Sequence, residues 1–155
     1  MFFFELIGAL FRELRPRKVE ARGRSRTRAV GDAAEEFALA FLKKEKGFRL
    51  VERGMMDEDG ELDLVGRVKG NEGLVVVEVR ARKEGGMLTP REAVDFKKQQ
   101  QVVKTAQRLL RRKGFYDVLR FDIVGVYLND RDEPVRAEHF EDAFDRSVLK
   151  KRRRA

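Results

Sequence analysis

Two acids and a base, Asp63, Glu78 and Arg80, stand on the two arms of one short segment, and their spacing lets them meet. The segment runs from Gly60 to Arg82: G-E-L-D-L-V-G-R-V, then K-G-N-E, then G-L-V-V-V-E-V-R-A-R. Both arms are rich in aliphatic residues and a Gly/Asn linker separates them, which predicts a β-hairpin. With the loop at Lys69 to Glu72, Leu62 opposes Val79 and Leu64 opposes Val77, giving one aliphatic face. The other face carries Glu61, Asp63 and Val65 opposite Arg80, Glu78 and Val76. A slip of one residue would mix the two faces, so the pattern itself selects the register. Asp63 and Glu78 then share a rung with Cβ atoms roughly 5 Å apart, an arrangement that destabilises a sheet. A divalent cation held by both carboxylates relieves the repulsion, and hard oxygen donors of this kind suit Mg2+ or Mn2+. A hairpin with one solvated face would also scatter acids and bases over that face, but it leaves the shared rung without a reason.

The flanking elements follow from pattern. Gly31 to Lys46 is predicted as a helix, with Asp32 at the N-cap and Glu35 three residues on in a capping-box arrangement. Its buried stripe is Phe37, Ala38, Phe41 and Leu42, Glu36 points away from the stripe, and Gly47 ends the helix. Phe48 to Arg53 reads as a short strand, and Asp57 to Gly60 turns the chain into the hairpin. After a glycine-bearing loop from Lys83 to Leu88, Thr89-Pro90-Arg91-Glu92 should open a second helix as N-cap, N1 proline and N3 glutamate. Val102, Val103, Ala106, Leu109 and Leu110 make its buried stripe, and Gly114 stops it. Gln99 interrupts that stripe one turn early and needs a polar partner, for which the hairpin's acids are the candidates. Leu119 to Leu128 is a further strand, Val135 to Phe140 an edge strand, and Asp142 to Leu149 a last helical turn.

An acid on one strand followed by E-x-basic on the next resembles the PD-(D/E)xK nuclease pattern, here Asp63 and Glu78-Val79-Arg80. More closely, the chain is similar to the YraN family of bacterial proteins, which has nuclease-like features. The matching stretches are Glu35-x-x-Ala38-x-x-Phe41-Leu42, Gly60-Glu61-Leu62-Asp63-Leu64 and Val77-Glu78-Val79-Arg80-x-Arg82. Ala93-Val94-x-x-x-Lys98, Arg120-Phe121-Asp122 and Ala143-Phe144 extend the match over most of residues 31 to 145. Two positions depart from the family pattern: Ala34, where glycine is usual, and Arg80, where lysine is commoner. The resemblance implies an α/β fold, a restriction-endonuclease-like αβββαβ core with a central mixed sheet flanked by helices. It implies Asp63 and Glu78 as metal ligands, Glu35 reaching the ion through the outer shell, and Arg80 in place of a lysine that positions the attacking water. Arginine keeps the charge and can clamp a phosphate, but it stays protonated and cannot act as a base. The register also sets Glu61 opposite Arg80, where it would pin the guanidinium. Arg82, Lys98 and Gln99 are the expected nucleic-acid contacts.

Composition narrows the chemistry further. A chain of 155 residues is one domain's worth. With no cysteine there is neither a disulfide nor a thiolate zinc site, and a lone histidine, His139, excludes His-rich metal sites and catalytic triads. The formal charge of +8 sits in two arms: residues 12–28 carry net +6, residues 150–154 carry +5, and residues 29–149 carry −2. Basic arms of this kind bind nucleic acid or an anionic surface. The organisation expected is an apolar-then-basic extension (1–28), a nuclease-like domain (29–149) and a basic tail (150–155). Met1 to Leu14 is apolar but too short to span a bilayer, so a cytoplasmic protein is expected. The implied function is a Mg2+-dependent endonuclease acting on DNA, branched or flapped structures included. The alternatives are a non-cleaving nucleic-acid-binding module on a nuclease scaffold, and a membrane-peripheral adaptor attached through residues 1–28.

Overall fold

The computed structural model describes residues 26–115 and 119–150, so the expectations for Met1–Leu14, most of the basic segment after it and the last five residues lie outside the described residues. In chain order the elements are α1 (Arg26–Lys46), β1 (Arg49–Met56), β2 (Glu61–Arg67), β3 (Leu74–Lys83), α2 (Phe96–Arg112), β4 (Leu119–Leu128) and β5 (Pro134–Phe144), then a 3-10 turn at Arg146–Leu149. The strands form one sheet in the order β1-β2-β3-β4-β5. Only β3 and β4 are parallel, and α2 lies in the crossover between them. This is the α/β, restriction-endonuclease-like αβββαβ core with a mixed sheet between two helices.

The sheet is covered on both faces, which excludes the reading of a hairpin with one wet side. Phe37, Ala38 and Leu42 of α1 pack on Leu64, Val75, Val77, Val79, Val124 and Val126. On the other face Val102, Val103, Ala106, Leu109 and Leu110 of α2 pack on Val65, Val76, Phe121, Ile123 and Phe144. Each such side chain contributes about 1.5–3 kcal/mol by leaving water. The predicted hairpin register holds, with Leu64 opposite Val77, Val65 opposite Val76 and Gly66 opposite Val75. Beyond Leu64 the strands part. The expected rungs at Asp63 and Leu62 are not ladder pairs, and Leu62, still paired with Met55 of β1, packs into the α2-side core.

Both helix starts differ from expectation. Helix α1 already runs from Arg26, so Asp32 lies inside it and caps nothing. Tertiary contacts extend it: Arg26 pairs with Asp132, and Val30 packs against the α1-side core. At Thr89 the capping box does form, with Glu92 N–H donating to Thr89 Oγ1 (3.2 Å) and Thr89 N–H to Glu92 Oε2 (2.8 Å), but it closes a single turn. The helix proper begins after Asp95, whose carboxylate accepts the Lys98 N–H at 2.8 Å. Pro90 is held by the sheet, since a Cβ on Gly125 would come within 2.4 Å of its ring. Strands β1 and β5 are longer than expected, β1 continuing through Gly54 (φ +58°). The stop at Gly47 is as expected, with φ +59° and the Phe48 N–H returning to the Leu42 carbonyl. No helix of the described residues is long and apolar enough to cross a membrane.

His139 belongs to a buried network centred on Asp122. Asp122 is fully buried and accepts from Arg120 Nε (2.9 Å) and Nη2 (2.8 Å), from the Asp142 N–H (2.9 Å) and from His139 Nε2 (2.7 Å). Burial pushes this carboxyl up, but the His139, Arg120 and Asp142 hydrogen bonds outweigh it and leave Asp122 below its ordinary pKa. Its stabilising contribution is therefore present above the unfolded carboxyl pKa and is lost as pH falls through the lower folded value. Asp122→Ala should lower unfolding free energy at pH 7 by about 3–5 kcal/mol, because it leaves Arg120 and His139 facing an emptied site. Urea unfolding measures this, and a loss below about 1 kcal/mol would show that the network contributes only a surface ion pair's worth.

Candidate active site

The site lies where β2 and β3 part. Past Leu64 the β2 backbone no longer reaches β3, and the Val79 N–H donates at 2.8 Å to Asp63 Oδ2 instead. A short carboxylate thus fills the place of a ladder carbonyl, which fixes its distance from the neighbouring strand. Glu78 sits one residue back on β3 and is 2% exposed. Its Oε1 meets Arg80 Nη2 at 2.7 Å and Lys98 Nζ at 3.3 Å. Lys98 arrives from the first turn of α2, whose position Asp95 and the Thr89–Glu92 turn determine.

These groups line one pocket of about 550 Å3, which also takes in Glu35 from α1, Glu61, Arg82, and Arg26 and Asp132 at its rim. Of the residues expected to act, Glu35, Asp63, Glu78, Arg80, Arg82 and Lys98 are brought together. Gln99 is not: its side-chain amide donates to the Val94 carbonyl at 2.9 Å, so its partner is loop backbone rather than the hairpin's acids. The expected Glu61–Arg80 pin is replaced by the Glu78–Arg80 pair, because the ladder ends before that rung forms. Lys98, which reads as a surface lysine by position alone, is three-quarters buried over Glu78. Arg26 and Asp132 were not expected here. Arg26 falls in the extension expected over residues 1–28, and Asp132 comes from the β4–β5 turn in a left-handed conformation (φ 60°) that no local pattern announced.

The electrostatics are those of uncompensated negative charge. Burial pushes Asp63 up to about 8, and the neighbouring Glu78 charge adds to the shift against the Val79 hydrogen bond. Burial raises Glu78 too, opposed by Arg80 and Lys98. Among the described residues Glu78 has two cations and Asp63 has none in hydrogen-bond reach, so the shared charge rests on Glu78 while Asp63 binds the proton. Glu35 is also raised, by burial first and then by Glu61, with Arg53 pulling it down. Since Asp32 is inside the helix, Glu35 is not part of a capping box at the start of α1, and its carboxyl lines the pocket 3.8 Å from Arg53 Nη2.

A divalent cation fits this donor set on physical grounds. Two neighbouring buried carboxylates, both pushed up by burial, are short of positive charge, and Mg2+ binds through one or two carboxylates while keeping its waters. Among the described residues no three His, Asp or Glu side chains gather into a complete metal cage. Arg80 Nε is buried without an acceptor among the described residues, a spare donor beside the acids.

Residues 34–126 match the family model described as Uncharacterised protein family UPF0102. A UPF0102 protein of Caldanaerobacter subterraneus subsp. tengcongensis is 37% identical over 119 residues, covering 76% of this chain and 95% of the relative. One from Geobacter sulfurreducens is 36% identical, covering 79% and 94%, and one from Anaeromyxobacter dehalogenans is 42% identical, covering 76% and 84%.

The raised Asp63 has a stability consequence whose sign is fixed. With chelator present, folded Asp63 holds its proton up to about pH 8 whereas the unfolded chain releases it near pH 4. Stability is then complete below about pH 4 and declines as pH rises through about 8. Asp63→Asn should remove most of that decline, raising Tm at pH 8 by about 5 °C and leaving it little changed at pH 4. Adding Mn2+ at pH 8 should raise the wild-type Tm and not that of Asp63→Asn. Parallel pH profiles for the two proteins, or equal Mn2+ shifts, would remove the buried charge and the ion from this site.

Proposed function

The chain belongs to the uncharacterised protein family UPF0102, the YraN family of the sequence comparison, and from its carboxylate pocket we propose that it is a metal-dependent endonuclease that hydrolyses phosphodiester bonds of DNA. The observation that carries this reading is the buried Asp63–Glu78 pair with Arg80 and Lys98 beside it in one open pocket. Acids alone could hold a cation, and bases alone could hold a phosphate. Phosphodiester hydrolysis needs both within one site.

Asp63 and Glu78 would hold Mg2+ or Mn2+, with the Val79 carbonyl as a further oxygen donor. Bound there, the ion would supply charge for the phosphoryl oxygens and lower the pKa of a coordinated water. The protein's own part is positioning. Arg80 offers a planar fork of donors to a phosphate, one of them already without an acceptor. Lys98 adds a compact cation from α2, and Arg82 lines the approach along β3. Glu35, with its raised pKa, sits on the α1 side of the pocket as an outer-shell group able to accept a proton from water or hold one near it. Arg80 cannot be that base, since arginine stays protonated. That is also the observation favouring the second reading: with Arg80 where a lysine is commoner, the same pocket could bind nucleic acid without cutting it.

Cleavage of linear and branched DNA and RNA with Mg2+ or Mn2+ decides between the two. If Arg80 contacts the scissile phosphate, Arg80→Ala should lose roughly 2–4 kcal/mol of transition-state stabilisation, about 30- to 1000-fold in rate. Arg80→Lys should keep or raise cleavage. Weak cutting by wild type, improved by lysine, is the expected result at matched substrate occupancy. Wild-type cutting that survives Arg80→Ala undiminished would sink the role given to this residue, and metal-independent binding without cutting would establish the binding module.

A further inference from the structure

Helix α2 has two faces with different work. Its inward stripe is core, and its glutamines fix its seat: Gln99 on the Val94 carbonyl, Gln100 on the Val148 carbonyl (2.8 Å) and Gln101 on the Asp59 carbonyl (2.7 Å). The outward stripe is cationic. Between Phe96 and Lys113 there are seven basic and no acidic residues, which against the net −2 of residues 29–149 leaves −9 for the remainder. Charge in the folded domain is thus segregated onto one helix. Lys97, Lys104, Arg108 and Arg111 follow at intervals of seven, four and three residues, which keeps them in one line along the outward face. Arg108 is engaged by Asp57 at 2.6 Å. Lys97, Lys104 and Arg111 are exposed and have no carboxylate partner among the described residues.

We propose that this stripe is a docking track for the phosphate backbone of a nucleic-acid duplex, leading to the carboxylate pocket. The inference rests on the nucleic-acid reading of that pocket and adds where the duplex lies. Continuity supports it: Lys97 begins the stripe, and its neighbour Lys98 turns inward onto Glu78 at 3.3 Å. From Lys97 to Arg111 the rise of 1.5 Å per residue gives about 21 Å, roughly six phosphates of one strand at 3.4 Å each. Other occupants fit less well. A membrane-surface helix turns its apolar face to lipid, whereas the apolar face of α2 is already in the core. A protein partner would want aromatic or aliphatic anchors, and the stripe has none. A row of cations on one helix face, three of them exposed and with no acid in the helix itself, is what a phosphate chain binds.

The test uses the full chain carrying Asp63→Asn, so that nothing is cut, and a fluorescent 20-base-pair duplex titrated with salt in chelator. Adding Lys97→Glu, Lys104→Glu and Arg111→Glu should raise Kd at least about tenfold and flatten the salt slope by about 2–3, near 0.9 for each lost phosphate contact. The neutral set Lys97→Gln, Lys104→Gln and Arg111→Gln should do the same more mildly and guards against charge-induced unfolding. A control with equal charge change elsewhere, Lys43→Glu, Arg49→Glu and Lys69→Glu, should shift Kd less than about threefold. Equal weakening by stripe and control sets, or none by the stripe sets, overturns the track while leaving nucleic-acid binding intact. Failure of the parent chain to bind any duplex overturns the track and the pocket's nucleic-acid reading together, and capture by phosphatidylserine vesicles instead would assign the stripe to a membrane.

Discussion

Everything at this site depends on one acid in an expensive position. Glu78 occupies a strand whose residues Leu74 to Val79 are buried, with a helix over each face of the sheet. A carboxylate there cannot stay ionised without nearby cations. One comes from its own strand, Arg80, two residues on and therefore on the same face. The other, Lys98, requires that the first turn of α2 be set against β3, and much of the local architecture serves that requirement. Asp95 starts the helix at the right residue, the Thr89–Glu92 turn and Pro90 anchor the approach, and Gln99 ties the first turn back to Val94. The helix start therefore falls at Phe96 and not at the stronger capping pattern upstream.

The sequence was legible where a pattern had only one consistent solution. The hairpin register was such a case, because a slip would have put Val75 and Val77 out of step with Leu64, and the structure pairs them as expected. The same alternation set Asp63, Glu78 and Arg80 on one face, and the structure brings all three to one pocket, though without the expected rung between the acids. Helix starts were not legible, since Asp32–Glu35 and Thr89–Glu92 both satisfy the local rule and only tertiary contacts decide whether a rule is used. The parting of β2 from β3 was also hidden. Nothing in Leu62-Asp63-Leu64 distinguishes a side chain that sits on a rung from one that replaces a ladder carbonyl. Gln99 was traced to the wrong partner because backbone acceptors in loops leave no mark in a residue pattern.

The same limit explains the pocket's rim. Arg26 and Asp132 lie 106 positions apart and meet because α1 passes the β4–β5 turn. Long-range pairs of this kind follow from topology, and topology here follows from the buried stripes of both helices. The charged residues that mattered most in sequence were those on strands, where alternation assigns a face. Those on helices and turns became interpretable only once the helix had been seated. Glu35 shows the difference: its position suggested a cap, and the longer α1 removes that duty and leaves its carboxyl to the pocket.

Arg80 and Lys98 share a single acceptor, and this makes the site responsive to whatever neutralises it. Each holds Glu78 by Coulomb attraction in a poorly solvated place, so each loosens when that carboxylate's charge is balanced by another cation. In the proposed reading the bases that compensate the acid are also those offered to a phosphate, so compensation and substrate binding would draw on the same two side chains. Arginine and lysine differ in how they divide that duty. The planar guanidinium can keep one donor on Glu78 and has others to spare, its buried Nε being without an acceptor among the described residues, whereas an ammonium is a compact point charge on a flexible stem. Substitution at position 80 therefore alters the balance between holding Glu78 and meeting a phosphate, even though the net charge of the pocket is unchanged.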